Sequence, residues 1–457
     1  MAKTPAINDL SKAELIKLVL ELQAEMVRLR TELETLKRKQ ARQAAPFSRN
    51  QPKKNPERSG RKPGVGIFKY RTAPTPESIT NTVSVPAPEC CPDCKITLEQ
   101  HKTSLAFITD LPLITPTVTQ YEVGEGTCPN CKRQFRGVHP DLASNQVGAT
   151  AHRLGTRALA VGHALQYDFG LTARKVPRVF KDVLNFNVTH SAFTQQAVKR
   201  GNLETGMIGL EYQKLRAQIK TSSVVNTDDT SWQTGGKASY LMGFKTNTAV
   251  VYQIRDQHRA LEVLELIPKD FKGVLVTDRF VTYDAKIFNE IKQQKCVAHI
   301  LKNLKQLLEK PIRGRSQEFP KALRKVFKDA LKVHSSFKTN QITRVMFDKA
   351  GKGILKRLDR LLELGELSNK DNLRLQRELG WHHARGSLLR FLLEPEVSPT
   401  NNDAERALRS GVVARKLSAG SKNETGAAAY SGFKSVIETG KLSGRSGLKT
   451  LLDLYTR

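Results

Sequence analysis

Three acidic residues, far apart in the chain, stand where carboxylates do chemistry. The run Ser222-Ser223-Val224-Val225-Asn226-Thr227 reads as a buried strand ending on Asp228-Asp229, and Gly273-Val274-Leu275-Val276-Thr277 as another ending on Asp278. Glu405 follows in Asn401-Asn402-Asp403-Ala404-Glu405-Arg406-Ala407-Leu408-Arg409, where Asn401 or Asn402 can cap a helix and leave the glutamate near its first turn. Carboxylates brought together without a cation repel and tend to hold a proton. Two divalent ions, Mg²⁺ or Mn²⁺, reverse that: about 3.5–4 Å apart, they activate a nucleophile on one side and stabilise a leaving oxygen on the other. Asp228, Asp278 and Glu405 are therefore expected to be catalytic and to hold the metal. One such Asp alone would read as a cap or surface residue; three in this order favour a metal site.

A second constellation is built from sulfur. Of six cysteines, five fall between Cys90 and Cys131. Cys91-Pro92-Asp93-Cys94 and Cys128-Pro129-Asn130-Cys131 are two C-x-x-C knuckles, each a tight turn that aims two sulfurs at one point. Four thiolates suit a closed, structural Zn²⁺ site at Cys91, Cys94, Cys128 and Cys131, and Cys90 is left as a bystander.

The elements that must position these groups follow from periodicity. After the strand that ends at Asp228 come two strand-like runs, Ala238 to Lys245 and Ala249 to Arg255, then a helix from about Gln257 to Ile267, the strand ending on Asp278, and a fifth short strand at Cys296-Val297-Ala298-His299. Three strands, helix, strand, helix, strand is the order of an RNase H-like α/β core, a mixed five-stranded sheet with helices in which the first three strands are antiparallel. In that arrangement Asp228 and Asp278 are neighbours. From 301 to 397 helical spacing takes over, for instance at Leu323, Val326, Phe327, Ala330 and Leu331, giving a helical insertion ahead of Glu405. Upstream, Leu171 to Arg200 resembles a helix-turn-helix whose second helix offers Gln195, Gln196, Lys199 and Arg200 to bases or phosphates; two packed helices with a polar face is the alternative. At the N-terminus, Leu15, Leu18, Leu22, Met26, Leu29, Leu33 and Leu36 form a coiled-coil seam behind a Ser11 capping box, a means of self-association or an amphipathic helix packed on its own protein. The proline-rich basic stretch after it reads as a flexible linker, in which Arg61 and Lys62 could enter a minor groove. The expected segments are 1–40 coiled-coil helix, 41–85 linker, 86–140 zinc module, 141–220 helical DNA-binding segment, 221–300 first part of the core, 301–397 basic helical insertion, and 398–457 last part of the core with the tail.

With 75 Lys plus Arg against 44 Asp plus Glu the formal charge is +31, which points to a polyanionic partner. The excess is uneven: 301–397 carries +11, whereas 224–300 carries +1. No apolar run approaches a membrane span and no signal-peptide core opens the chain, so a soluble protein, cytoplasmic and nucleoid-associated, is expected.

Asp228-Asp229-Thr230-Ser231-Trp232, Asp278-Arg279-Phe280-Val281-Thr282-Tyr283, Cys296-Val297-Ala298-His299 and above all Asn401 to Arg409 resemble the bacterial DDE transposases of the IS66 insertion-sequence family. The resemblance spans nearly the whole chain, including Pro46-Phe47-Ser48, the paired knuckles and Arg415-Lys416. Residue by residue it lays the family's acidic triad on Asp228, Asp278 and Glu405. It implies metal-dependent cleavage at the ends of a mobile element and transfer of the 3′-hydroxyl ends into target DNA. Double-stranded DNA is then the partner, with a homo-oligomer formed through the N-terminal helix and with helper proteins of the same element as further candidates. Arg406, Arg409, Arg415 and Lys416 would line the DNA path. Two departures stand out: Asp229 where the family usually has Glu, which leaves Asp228 and Asp229 as alternatives, and Arg279-Phe280 where it usually has Gly-Tyr. Arg279 either binds phosphate or marks a decayed copy. A catalytically inactive DNA-binding descendant and an RNase H-like structure-selective nuclease are the rival functions.

Overall fold

The computed structural model describes residues 19–26, 28–29, 32, 72–99, 103–142, 153–309, 314–365 and 367–456. It divides into two units, Met1–Leu113 and Ile114–Arg457. In the first, residues 19–26, 28–29 and 32 are helical, and Leu22, Met26 and Leu29 lie exposed along that helix. The remaining seam leucines, and Arg61 and Lys62, lie outside the described residues. Around the first knuckle the Cys91 N–H donates to Ile96 O (2.8 Å) and the Lys95 N–H to Cys91 O (2.9 Å), with Lys95 in the left-handed region at φ 63°.

The second unit begins with the same turn. Strands β1 (Glu125–Thr127) and β2 (Gln134–Arg136) pair antiparallel and flank it. There the Cys128 N–H donates to Arg133 O (2.9 Å), the Lys132 N–H to Cys128 O (2.9 Å), and Lys132 has φ 55°. Four helices follow: α1 (Thr156–His163), α2 (Val176–Leu184), α3 (His190–Gly201) and α4 (Met207–Lys220). Pro177 fits the first turn of α2, where an N–H would have no partner, and Asn185 in the left-handed region ends that helix. Phe180 of α2 and Phe193 of α3 are buried with ring centroids 4.9 Å apart, which sets the two-helix unit expected at 171–200.

The sheet is built from β3 (Val224–Thr234), β4 (Lys237–Lys245), β5 (Val250–Arg255), β6 (Val274–Thr277) and β7 (Lys292–Lys295), with the short helix α5 (Ala260–Leu264) between β5 and β6. Its order is β5-β4-β3-β6-β7; β4 runs antiparallel to β3 and β5, and β6 and β7 run parallel to β3 and to each other. Gly235 and Gly236, both at positive φ (58° and 77°), close the β3–β4 hairpin with the two-residue turn whose twist matches the strands. β3 does not end at the aspartates as expected. It runs on to Thr234, because β4 pairs with it from Asn226 to Thr234 while β6 pairs with it only as far as Asn226. The fifth strand also differs from expectation: it is Lys292–Lys295, and Val297 opens a helix. Its polar sequence hides burial, since the Gln293 Nε2 donates to Tyr283 O (2.8 Å) and the Gln294 Nε2 to Lys295 O (2.7 Å) and Leu388 O (2.8 Å).

Helices α6 (Val297–Glu309), α7 (Glu318–Lys338), α8 (Arg344–Leu362) and α9 (Lys370–Ala384) share a core with Val274 and Val276, one face of the sheet. Leu323, Val326, Phe327, Ile354 and Leu358 lie inside it, as their spacing requires. After them come α10 (Asn402–Ser418), α11 (Glu424–Leu442) and α12 (Gly447–Tyr455). The last two are not a loose tail: Phe433, Ile437 and Leu451 join α1–α4 and the other face of the sheet, with Val225, Phe244 and Leu275, in one core. α11 also covers the sheet edge, accepting the Val250 N–H on Thr439 Oγ1 (2.9 Å) and the Tyr252 N–H on Ser435 Oγ (2.8 Å). An edge so capped cannot recruit a further strand there.

Candidate active site

Register brings the first two carboxylates together. Val224 pairs with Val274 and Asn226 with Val276. Two residues further along β3 the pleat puts Asp228 on the face that carries Asn226, and Asp278, which directly follows the last residue of β6, comes near enough to raise the Asp228 carboxyl. Asp229 falls on the opposite face. Its Oδ1 lies 3.1 Å from the Nδ1 of His258, a buried ring that stacks on Phe280 with centroids 5.0 Å apart.

The third carboxylate arrives on α10, which packs across β3 and β4. Opposite Asp228 on β4 is Gly243, and a Cβ there would lie 3.1 Å from Leu408. One turn further along α10, a Cβ on Gly411 would come within 2.4 Å of Leu241. These two glycines let α10 lie close to the strands. Asn401 anchors its start: the Nδ2 donates to Thr227 O (2.6 Å), beside Asp228, and the N–H donates to Cys296 Sγ (3.2 Å), just beyond β7. Its side chain is thus a tether between elements instead of the helix cap expected from sequence. Glu405 is exposed in the first turn, its N–H bonded to Asn401 O (3.1 Å).

Burial, together with Asp229, Asp278 and Glu405, pushes the Asp228 carboxyl up from 3.8 to about 7. Among the described residues, no lysine or arginine pairs with Asp228, Asp278 or Glu405; the nearest partner is His299, whose Nδ1 is 3.9 Å from Glu405 Oε1. Asp278 Oδ1 accepts the Phe280 N–H (2.9 Å), and Thr277 Oγ1 donates to Asp278 O (2.7 Å). A cluster of oxygen donors under mutual repulsion, with no lysine or arginine paired to it among the described residues, is what divalent ions satisfy. The donor set fits Mg²⁺ or Mn²⁺. The three carboxylates do not all close on one point: among the described residues, the set of three ligand atoms within 4.8 Å of one another is Cys296, His299 and Glu405.

Beneath the site lies a charge pair that sequence reasoning missed. Lys295 is buried at 1% exposure; its Nζ is 2.8 Å from Asp284 Oδ1 and donates to Thr277 Oγ1 (3.3 Å). Lys-Gln-Gln-Lys looks like a surface run, so nothing in its pattern flags this lysine.

The other expected contacts divide by exposure. Gln195 and Lys199 lie exposed on α3, and Arg406, Arg409 and Lys416 on α10. Arg200 instead sits over the Tyr455 ring, 4.1 Å from its centroid. Arg279 is buried against α9, with Nη1 2.6 Å from Glu378 Oε1. Arg415 donates to Ser231 O (2.7 Å) and Thr230 Oγ1 (3.2 Å), joining the far end of α10 to β3. In each knuckle the first cysteine, Cys91 or Cys128, is held below the usual thiol value by backbone and side-chain hydrogen bonds from the second half of the turn.

Fold and site together define an α/β protein with a mixed five-stranded sheet and a cluster of carboxylates where β6 ends beside the middle of β3. The chain belongs to the transposase IS66 family, whose model matches residues 153–429. Membership implies transposition activity and DNA as the partner. No match is found among the curated proteins. The matched span holds Asp228, Asp278, Glu405, Cys296 and His299; both knuckles precede it. No helix among the described residues is long and apolar enough to cross a membrane.

Proposed function

We propose that this protein is a DDE transposase with an RNase H-like core carrying a helical insertion, in which Asp228, Asp278 and Glu405 hold two Mg²⁺ or Mn²⁺ ions. The observation that carries this reading is the in-register placement of Asp228 and Asp278, with Asp228 raised to about 7 by burial and by its acidic neighbours. The strand order and directions support the core assignment. When bound, the ions supply activation of the attacking oxygen and stabilisation of the leaving oxygen, and a two-ion centre does not need all three carboxylates on one ion. The protein's own part is positional. β3 and β6 fix two carboxylates, and the Gly243–Leu408 and Gly411–Leu241 contacts with the Asn401 tether present the third. Asp228 would hold a cation as the carboxylate, its proton lost to solvent. The proposed reaction is hydrolysis at the element's ends to expose 3′-hydroxyls, then attack of those hydroxyls on target phosphodiesters.

DNA is proposed to run past Gln195, Lys199, Arg406, Arg409 and Lys416 and along the basic helices α6–α9, where phosphate neutralisation gives affinity. Arg200, Arg279 and Arg415 serve packing and tethering. The knuckles are proposed to bind zinc structurally, supported by their matching turns and lowered first thiols. The exposed leucine-type face at Leu22, Met26 and Leu29 supports self-association through the N-terminal helix.

The test is an assay with duplexes taken from the DNA that flanks the reading frame. With Mg²⁺, the wild type is expected to cleave one strand at the element's end and join it to a target plasmid. Asp278→Asn should abolish both steps and leave binding in a gel-shift assay unchanged. Undiminished cleavage, or loss of binding alone, rejects the assignment.

A further inference from the structure

Glu405 has a second set of neighbours that the proposed cleavage chemistry does not use. The Cys296 sulfur sits just beyond β7 and accepts the Asn401 N–H (3.2 Å). His299, one turn on along α6, has a buried Nδ1 that lies 3.9 Å from Glu405 Oε1, and its ring pairs with the Cys296 thiol. Ligand atoms of Cys296, His299 and Glu405 all lie within 4.8 Å of one another. A thiol, an imidazole and a carboxylate are a donor set for a borderline-soft ion, whereas Mg²⁺ keeps to oxygen.

We propose that Cys296, His299 and Glu405 form a Zn²⁺ site beside the carboxylate cluster, and that Zn²⁺ bound there inhibits the enzyme by taking Glu405 away from Asp228 and Asp278. Zinc bonds of roughly 2.0–2.3 Å need the three ligand atoms to close by on the order of 1 Å, which the exposed Glu405 side chain can supply. Binding displaces the Cys296 proton to solvent, forms one bond each to sulfur, nitrogen and oxygen, and leaves a tetrahedral position for water. The Asn401 N–H bond to sulfur is compatible with the thiolate and steadies it. The site stands on its own geometry; its inhibitory consequence rests on the assignment of Glu405 to the cleavage centre.

The experiment measures bound zinc per chain after equilibration of the full-length protein with Zn²⁺ alone. Cys296→Ser keeps an acceptor for the Asn401 N–H, and His299→Ala alters a half-exposed residue, so two independent variants probe the site. Each is expected to bind one zinc fewer than the wild type; knuckle zinc is common to all three and cancels. Equal zinc content in wild type and both variants overturns the proposal. In Mg²⁺-dependent strand cleavage, Cys296→Ser should need at least about tenfold more Zn²⁺ for half-inhibition. An unchanged inhibition curve overturns the inhibitory role. A wild type that binds the additional zinc but never cleaves DNA supports the site and counts against the cleavage reading.

Discussion

Replacing Asp228 by Asn keeps the side chain's shape and removes its charge, and in metal-free buffer it should make the protein more stable. The carboxyl has an ordinary value of 3.8 and is pushed up to about 7 in the fold by burial and by Asp229, Asp278 and Glu405. Below pH about 4 the group is protonated whether the chain is folded or unfolded, so the substitution changes little. As pH rises from about 4 to about 7 unfolding releases a proton that the folded carboxyl still holds, so stability falls across that window relative to the neutral amide and the loss is complete above about 7. The full difference corresponds to about 4 kcal/mol; with partial solvent access, a gain of about 2–4 kcal/mol for Asp228→Asn above pH 8 is the working figure. Urea unfolding followed through Trp232, buried on β3 four residues beyond Asp228, reads it directly. Adding Mg²⁺ should raise the wild type's stability and leave the variant's unchanged, since only the former binds the ion in its folded state. A variant less stable than wild type at pH 8.5 without metal, or a gain that does not vanish toward pH 4, refutes the argument that these carboxylates repel one another in the fold.

Gly411→Ala puts a methyl 2.4 Å from buried Leu241 and should cost about 1–3 kcal/mol in urea unfolding, with a larger fall in Mg²⁺-dependent cleavage as α10 lifts Glu405 off the sheet. Lys295→Met strands the Asp284 carboxylate and should cost about 3 kcal/mol at pH 7; Lys295→Met combined with Asp284→Asn should recover most of it, as a double-mutant cycle will read. Cys91→Ser and Cys128→Ser are each expected to lower bound zinc per chain relative to the wild type, and unchanged zinc content in both would refute zinc binding by the knuckles.

Much of the core was legible because apolar runs and turn residues mark it. Val224 to Thr227, Val274 to Thr277 and the Gly235-Gly236 turn are such signals, and the helical spacing from Leu323 to Leu362 names residues that do lie inside. The fifth strand was not legible. Lys292-Gln293-Gln294-Lys295 is polar, and its burial depends on partners distant in sequence, Asp284 and the carbonyls of Tyr283 and Leu388. Cys296 to His299 looks like a strand because Val297 and Ala298 are apolar, yet α6 begins there. Arg200 and Arg279 have the composition of DNA contacts; packing against Tyr455 and Glu378 turns them inward.

By itself the sequence determined the kinds of group available: acids after apolar runs, a glutamate in the first turn of a helix, paired cysteines, and a basic excess that avoids 224–300. Only the tertiary structure decided which way Asp228 and Asp229 face. A strand exposes alternate residues on opposite faces, so the register of β3 against β6 sends Asp228 toward Asp278 and Asp229 toward His258. It likewise decided how near Glu405 comes, because two glycines on different elements set the distance between α10 and the sheet. That closeness is a property of the contact between the elements, and neither stretch of chain carries it alone.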